Sequence, residues 1–201
     1  MSAKVTFSSL VLLAGLAAQP AAALEPTIQA GEQVESRLDA DLNGDGRADL
    51  AYIVATDEWR ELRVAVAGRT QVEALDLSID ALGAGTLALD GGVLTFVDLT
   101  GGTTAYSTTR RFRYDGTRNR MRLIGMDVTL YSRTFAHNGY EGSWNLITGE
   151  GKGHELRLTD GIDGNRAYNE ARRHSFRRRA RPIWLADAPA PEDLLEEFRE
   201  G

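Results

Sequence analysis

The stretch Tyr106–Leu130, YSTTRRFRYDGTRNRMRLIGMDVTL, decides the fold class. In its first half Tyr106, Thr108, Arg110, Phe112 and Tyr114 share one parity, and Arg111 and Arg113 the other. Successive side chains of a β-strand point to opposite faces. This spacing therefore puts Phe112 and Tyr114 on one side, suited to a core, and Arg111 and Arg113 on the other, in solvent. Asp115-Gly116, with Asn119 extending it, is turn chemistry, and Met121–Leu130 returns as a second strand. A hairpin is predicted.

Outward from this hairpin the pattern repeats in shorter form. Strands are predicted at Leu50–Ala55, at Leu62–Ala67, and at Val93–Val97 after the turn Asp90-Gly91-Gly92. Further strands are predicted at Ser143–Ile147, at Glu155–Leu158 and around Tyr168–Phe176. Asp76–Ala84 reads equally as a short helix or a loop. Helical periodicity is scarce until Pro182, Pro189 and Pro191 punctuate the C-terminal stretch. There Pro191 in the first turn, followed by Glu192 and Asp193, starts a helix, with Leu194, Leu195 and Phe198 on one apolar face. So short a helix needs docking to persist. The expectation is one mainly β domain, an antiparallel β-sandwich or open barrel, closed by a helix at about 191–199.

The N-terminus has a different logic. Lys4 precedes the small and apolar run Val5–Ala18, and Ala21-Ala22-Ala23 follows the break at Gln19 and Pro20. This is the pattern of a secretory signal peptide, expected at 1–23, which leaves a single domain over 24–201 in the periplasm or outside the cell. The run is short of the roughly 20 residues that a membrane span needs, and the mature chain contains no other run that approaches it. No cysteine is present, which excludes disulfides, thiol nucleophiles and a lipid-modified cysteine. The net charge of −6 among 201 residues becomes about −7 without Lys4. Such a balance argues against nucleic acid as a partner.

The most specific motif is Asp41-Leu42-Asn43-Gly44-Asp45-Gly46-Arg47-Ala48-Asp49. Oxygen-bearing side chains fall at loop positions 1, 3, 5 and 9, and glycine falls at position 6, where an EF-hand-like loop turns sharply. Calcium is a hard cation that takes six to eight oxygens, and the position-7 carbonyl supplies another. Without an ion Asp41, Asp45 and Asp49 would repel one another. Position 12 is Tyr52 rather than a bidentate glutamate, and a strand follows instead of a helix. The pattern D-x-N-G-D-G-x-x-D before a strand resembles the calcium loops of FG-GAP and VCBS-type repeats. That resemblance covers about Asp39 to Val54. It implies bound Ca2+ with ligands at Asp41, Asn43, Asp45 and Asp49 and at the carbonyl of Arg47. A second loop at Asp160-Gly161-Ile162-Asp163-Gly164-Asn165 leaves Thr159, Gly161 and Ala167 at ligand positions, so it reads as a turn. One loop does not make a propeller of about four to eight blades.

Catalytic patterns are scarce. His137, His154 and His174 lack metal-ligand spacing, no serine sits in a G-x-S-x-G elbow, and no phosphate-binding G-x-x-x-x-G-K-[ST] occurs. Glu141 and Glu150 are carboxylates of the type that glycoside hydrolysis uses. Arg172, Arg173, Arg177, Arg178, Arg179 and Arg181 cluster near His174. They read either as a charged sheet edge or as a surface for an anionic envelope polymer. Tyr106, Phe112, Tyr114, Tyr131, Tyr140 and Trp144 read as core or as a sugar-stacking surface. The functional expectation is a calcium-binding, non-enzymatic module of the cell envelope. It would bind an anionic polymer or another envelope protein, or serve structurally. The alternative is an envelope hydrolase acting on carbohydrate or peptide.

Overall fold

The structure, a computed structural model, describes residues 23–160 and 166–199. All but the last residue of the signal expected at 1–23 lies outside them, as does most of the turn at 160–165. The protein is a sandwich of two antiparallel sheets. The smaller sheet is the meander β1 (Gln33–Ala40), β2 (Asp49–Ala55), β3 (Arg60–Ala65) and β4 (Val72–Leu77). The larger contains β5 (Thr86–Asp90), β6 (Val93–Gly101), β7 (Thr104–Asp115), β8 (Arg120–Ser132), β9 (Gly139–Asn145), β10 (Glu150–Asp160) and β11 (Arg166–Arg177), each paired with its sequence neighbour. A short β12 (Ile183–Trp184) adds to β8. Neither sheet closes into a barrel, and nothing is arranged around a propeller channel.

The hairpin that anchors the sequence reading is β7–β8, running from Thr104 opposite Ser132 to Asp115 opposite Arg120. Its register shifts once, where Arg111 faces Gly125 and Phe112 faces Leu123. Ile124 is the extra residue on β8, so the parity of β7 is unbroken. Phe112 is fully buried, Arg113 is exposed, and Arg111 pairs with Asp127 at 2.5 Å on the outer face.

The main core lies between the sheets. Ala51, Ile53, Leu62 and Val64 of the smaller sheet meet Leu94, Phe96, Phe112, Met126 and Val128 of the larger. From Leu50 to Val54 β2 is buried on both faces, which suits its unbroken run of large hydrophobic and aromatic side chains after Asp49. Leu50, Tyr52 and Val54 pack on the far side with Leu24, Trp59 and Ala65. The Tyr52 hydroxyl accepts a hydrogen bond from the Thr27 N–H and donates to the Thr27 carbonyl, which fixes the N-terminal segment over that face.

The C-terminal helix α1 (Pro191–Arg199) forms as predicted. Asp193 accepts from the N–H of Ala190 at 2.9 Å, the back-reaching half of a capping box. Leu194 and Leu195 are buried, and the helix lies against β8–β11. The side chain of Phe198 lies outside the described residues. Asp76–Ala84 contains the end of β4 and a loop tied to β6 by a bridge from Ala81 to Thr100, with no helix. Among the described residues no helix is long and apolar enough to cross a membrane.

Candidate calcium loop and the polar pocket between the sheets

The acidic motif is the connection from β1 to β2. Gly44 and Gly46 have φ of 79° and 83°, in the left-handed region that glycine enters without strain. These turns wind the chain around its own side chains. Asp41 Oδ1 accepts from the N–H groups of Gly44 (2.7 Å) and Asp45 (3.1 Å), and Oδ2 from that of Gly46 (2.8 Å). Asn43 Oδ1 accepts from the N–H of Asp45 at 2.8 Å. Asp45 Oδ1 accepts from the N–H of Arg47 at 2.9 Å, and Oδ2 from its guanidinium at 2.7 Å. Arg47 holds the Asp45 carboxyl down at about 2 through the side-chain contact first and its own N–H second, with Asn43 adding to them.

Asp49 is set apart. Its side chain is buried, and its carboxylate accepts from the N–H groups of Leu42 and Asn43 on one oxygen and of Ala67 on the other. Burial pushes its carboxyl up against those hydrogen bonds. It ties the loop to the segment just after β3. Among the described residues no group of three or more His, Cys, Asp or Glu side chains is close enough to hold a metal ion.

The donor set still suits a hard cation in chemistry. Asp41 Oδ2, Asn43 Oδ1 and Asp45 Oδ1 each accept one N–H and keep a second lone pair, while Asp41 Oδ1 accepts two. To coordinate an ion through Oδ2, Asp45 must release both the Arg47 guanidinium and the Asn43 amide N–H. Asp49 Oδ1 accepts a single N–H and so retains one site.

The other sequence candidates disperse. Glu141 faces His154 across β9–β10, while Glu150 lies four residues away along β10, about 13 Å by strand rise, and is held by Arg177. His154 stands between Glu141 and Glu170, with Nε2 3.7 and 3.8 Å from their carboxylates. It joins His174 in a groove of about 430 Å³ over β9–β11. His137 is apart from them, bonded to Thr104 Oγ1 and the Asn138 carbonyl. Phe112 is core, and Tyr106, Tyr114, Tyr140 and Trp144 pack against that core. The basic run occupies the edge strand β11 and the segment after it, with its arginines exposed. Arg173 pairs with Glu170 and Arg177 with Glu150.

One site was not anticipated. A pocket of about 520 Å³ opens where β6 and β7 of the larger sheet meet the end of β4 and the segment leading into α1. Its floor is the row Asp98, Thr100, Tyr106, Thr108 and Arg110. Thr100 faces Tyr106 and Asp98 faces Thr108 across β6–β7. Arg110 is 5% exposed, although it shares its strand face with Phe112. The alternation of β7 was the signal for this site: it assigned Arg110 to the core face.

In comparisons with known proteins, no family model, curated protein or solved structure matches the chain.

Proposed function

We propose that this chain is an exported, calcium-binding β-domain that serves the cell envelope as a binding or structural module. The observation that supports it is the winding of the β1–β2 loop, with the oxygens of Asp41, Asn43 and Asp45 gathered inside two left-handed glycine turns. An ion there would act structurally. It would neutralise the Asp41 and Asp45 carboxylates and tie the start of β2, the most buried strand of the smaller sheet, to the loop before it. The exposed arginines along and beyond β11 give an acidic protein one basic edge, suited to an anionic envelope polymer or an acidic envelope protein.

The test is thermal unfolding of the chain from Leu24 onward in excess calcium and in chelator, with Asp45→Ala alongside. Calcium at 100 times its dissociation constant adds about 2.7 kcal/mol, which is about 5–10 °C for a domain of this size. The shift vanishes in the variant. Identical melts in calcium, chelator and variant would reduce the loop to a turn.

The second reading, a hydrolase acting on carbohydrate or peptide, draws on His154 between Glu141 and Glu170 in the β9–β11 groove. It requires turnover of a polysaccharide or peptide substrate that His154→Gln abolishes. Turnover that persists in that variant removes it.

A further inference from the structure

Among the described residues Arg60, Arg63 and Arg110 are buried, and they are not equivalent. Arg60 donates through Nε to Glu35 at 2.7 Å and through Nη1 to Asp98 at 2.8 Å. Arg63 makes a bidentate pair with Glu32, both distances 2.9 Å, and a third bond to Glu61. Each of these charges is therefore met by two carboxylates. Arg110 has no carboxylate within ion-pair distance among the described residues. Its Nη2 donates to the Pro189 carbonyl at 2.9 Å, and its Nε is buried without a hydrogen-bond partner. Asp98 is the acid best placed to neutralise it, on the neighbouring strand, but Asp98 is engaged by Arg60.

A buried guanidinium with one neutral acceptor is costly, and an apolar side chain of similar size would be more stable there. Burial pushes Arg110 down to about 10, opposed in part by Asp98 and Glu192, and leaves it a cation at neutral pH. Its surroundings explain what would offset the cost. The guanidinium lines a pocket of a volume typical of small-molecule sites, with the hydroxyls of Thr100, Thr108 and Tyr106 on the same floor. A guanidinium fork matches a carboxylate in two-point geometry. The rim carries the opposite sign: Asp76, Asp80 and Glu192 line the same pocket and are exposed. A dianion such as phosphate would meet that rim unfavourably, and a simple cation would meet Arg110 unfavourably.

We propose that this pocket binds a small zwitterion of amino-acid or short-peptide size, its carboxylate on Arg110 and its ammonium toward Asp76, Asp80 and Glu192. The inference gives the binding-module reading a ligand and rests on that reading. It does not depend on the calcium loop.

The test is calorimetric titration of the purified protein, in saturating calcium, with Ala-Ala, N-acetyl-Ala-Ala and Ala-Ala-amide. Ala-Ala binds saturably. Each blocked form, lacking one charge, binds about tenfold more weakly or less. Arg110→Met loses Ala-Ala binding, and Arg110→Lys, which keeps the charge without the fork, weakens it about tenfold. Arg179→Met, on the exposed basic segment, leaves it unchanged. Without peptide, Arg110→Met melts about 2–4 °C higher than the parent, the mark of a charge kept at a cost to stability. Should Arg110→Met fail to fold, Arg110→Lys carries the comparison. The proposal is overturned if the parent protein shows no saturable Ala-Ala binding, or if the acetylated peptide binds as well as Ala-Ala. Binding that survives Arg110→Met overturns it too. A protein that is stabilised by calcium and ignores Ala-Ala refutes the pocket's ligand and leaves the loop reading intact.

Discussion

Nη1 of Arg60, on β3, donates to both carboxylate oxygens of Asp98, on β6, at 3.1 and 2.8 Å, and so ties the smaller sheet to the larger through the interior. The side chains are 2% and 4% exposed. Removing one partner of such a pair strands a buried charge, whereas replacing both by apolar groups removes the problem. Asp98→Ala is expected to lower the unfolding free energy by about 3–5 kcal/mol, and the double variant Arg60→Met/Asp98→Leu to recover most of it. Urea unfolding of the four members of this cycle measures it. A loss under about 1 kcal/mol for Asp98→Ala would mean that Glu35 alone neutralises Arg60.

Arg47 competes with any cation for Asp45. In the proposed site it would contribute a backbone carbonyl, which survives substitution, while its guanidinium pairs with Asp45 at 2.7 Å in a half-exposed position. An exposed pair of this kind is weak and screened by solvent. Arg47→Ala should therefore tighten calcium binding by about two- to fivefold. A calcium titration followed by calorimetry reads this directly; weaker binding in the variant would show that the guanidinium orders the loop rather than obstructing it.

Tyr52→Phe should loosen the N-terminal segment without disturbing the main core. The hydroxyl is the group that meets both the N–H and the carbonyl of Thr27. Its loss is expected to cost about 1–2 kcal/mol. Hydrogen exchange should accelerate between Leu24 and Glu32 while β6–β8 keep their protection. Uniform acceleration across both sheets would contradict this division.

Glu73 gives the stability a definite pH dependence. It lies on β4 and accepts from the N–H of Met121 at 2.7 Å, across the sandwich at the start of β8. Burial raises its carboxyl above the ordinary glutamate value, more than Met121 and Arg120 lower it. A carboxyl whose folded value is raised binds its proton more readily in the folded state. Its contribution is fully present below the unfolded value and is lost as pH rises through the folded one. Glu73→Gln, which keeps an oxygen for Met121, should match the parent below pH 4.5 and be the more stable of the two at pH 7. Denaturant midpoints at pH 4 and pH 7 decide it; a variant that is less stable at pH 7 would mean that the Arg120 ion pair outweighs burial.

How much of this was legible differs from element to element. The β7–β8 hairpin was readable because its alternation is long and its turn is punctuated by Asp115-Gly116. β2 was readable as an unbroken apolar run, and α1 from Pro191 and the acids behind it. β1, β4 and β5 were not anticipated. Leu38 and Ala40 are the residues of β1 that pack on the core, and β4 carries Glu73 and Asp76. Such short, mixed runs become strands because a neighbouring strand supplies their hydrogen bonds, and pairing of that kind leaves little trace in local composition.

The chain by itself determined the β class, the short terminal helix and the spacing of oxygens from Asp41 to Asp49, because periodicity, turn residues and loop geometry are local properties. The tertiary structure decided which carboxylate answers which arginine. Asp98 goes to Arg60, thirty-eight residues away, rather than to Arg110, whose strand lies beside its own. Partner choice among buried charges depends on which side chains the packed sheets bring within about 3 Å of each other, and no pattern along the chain encodes that distance.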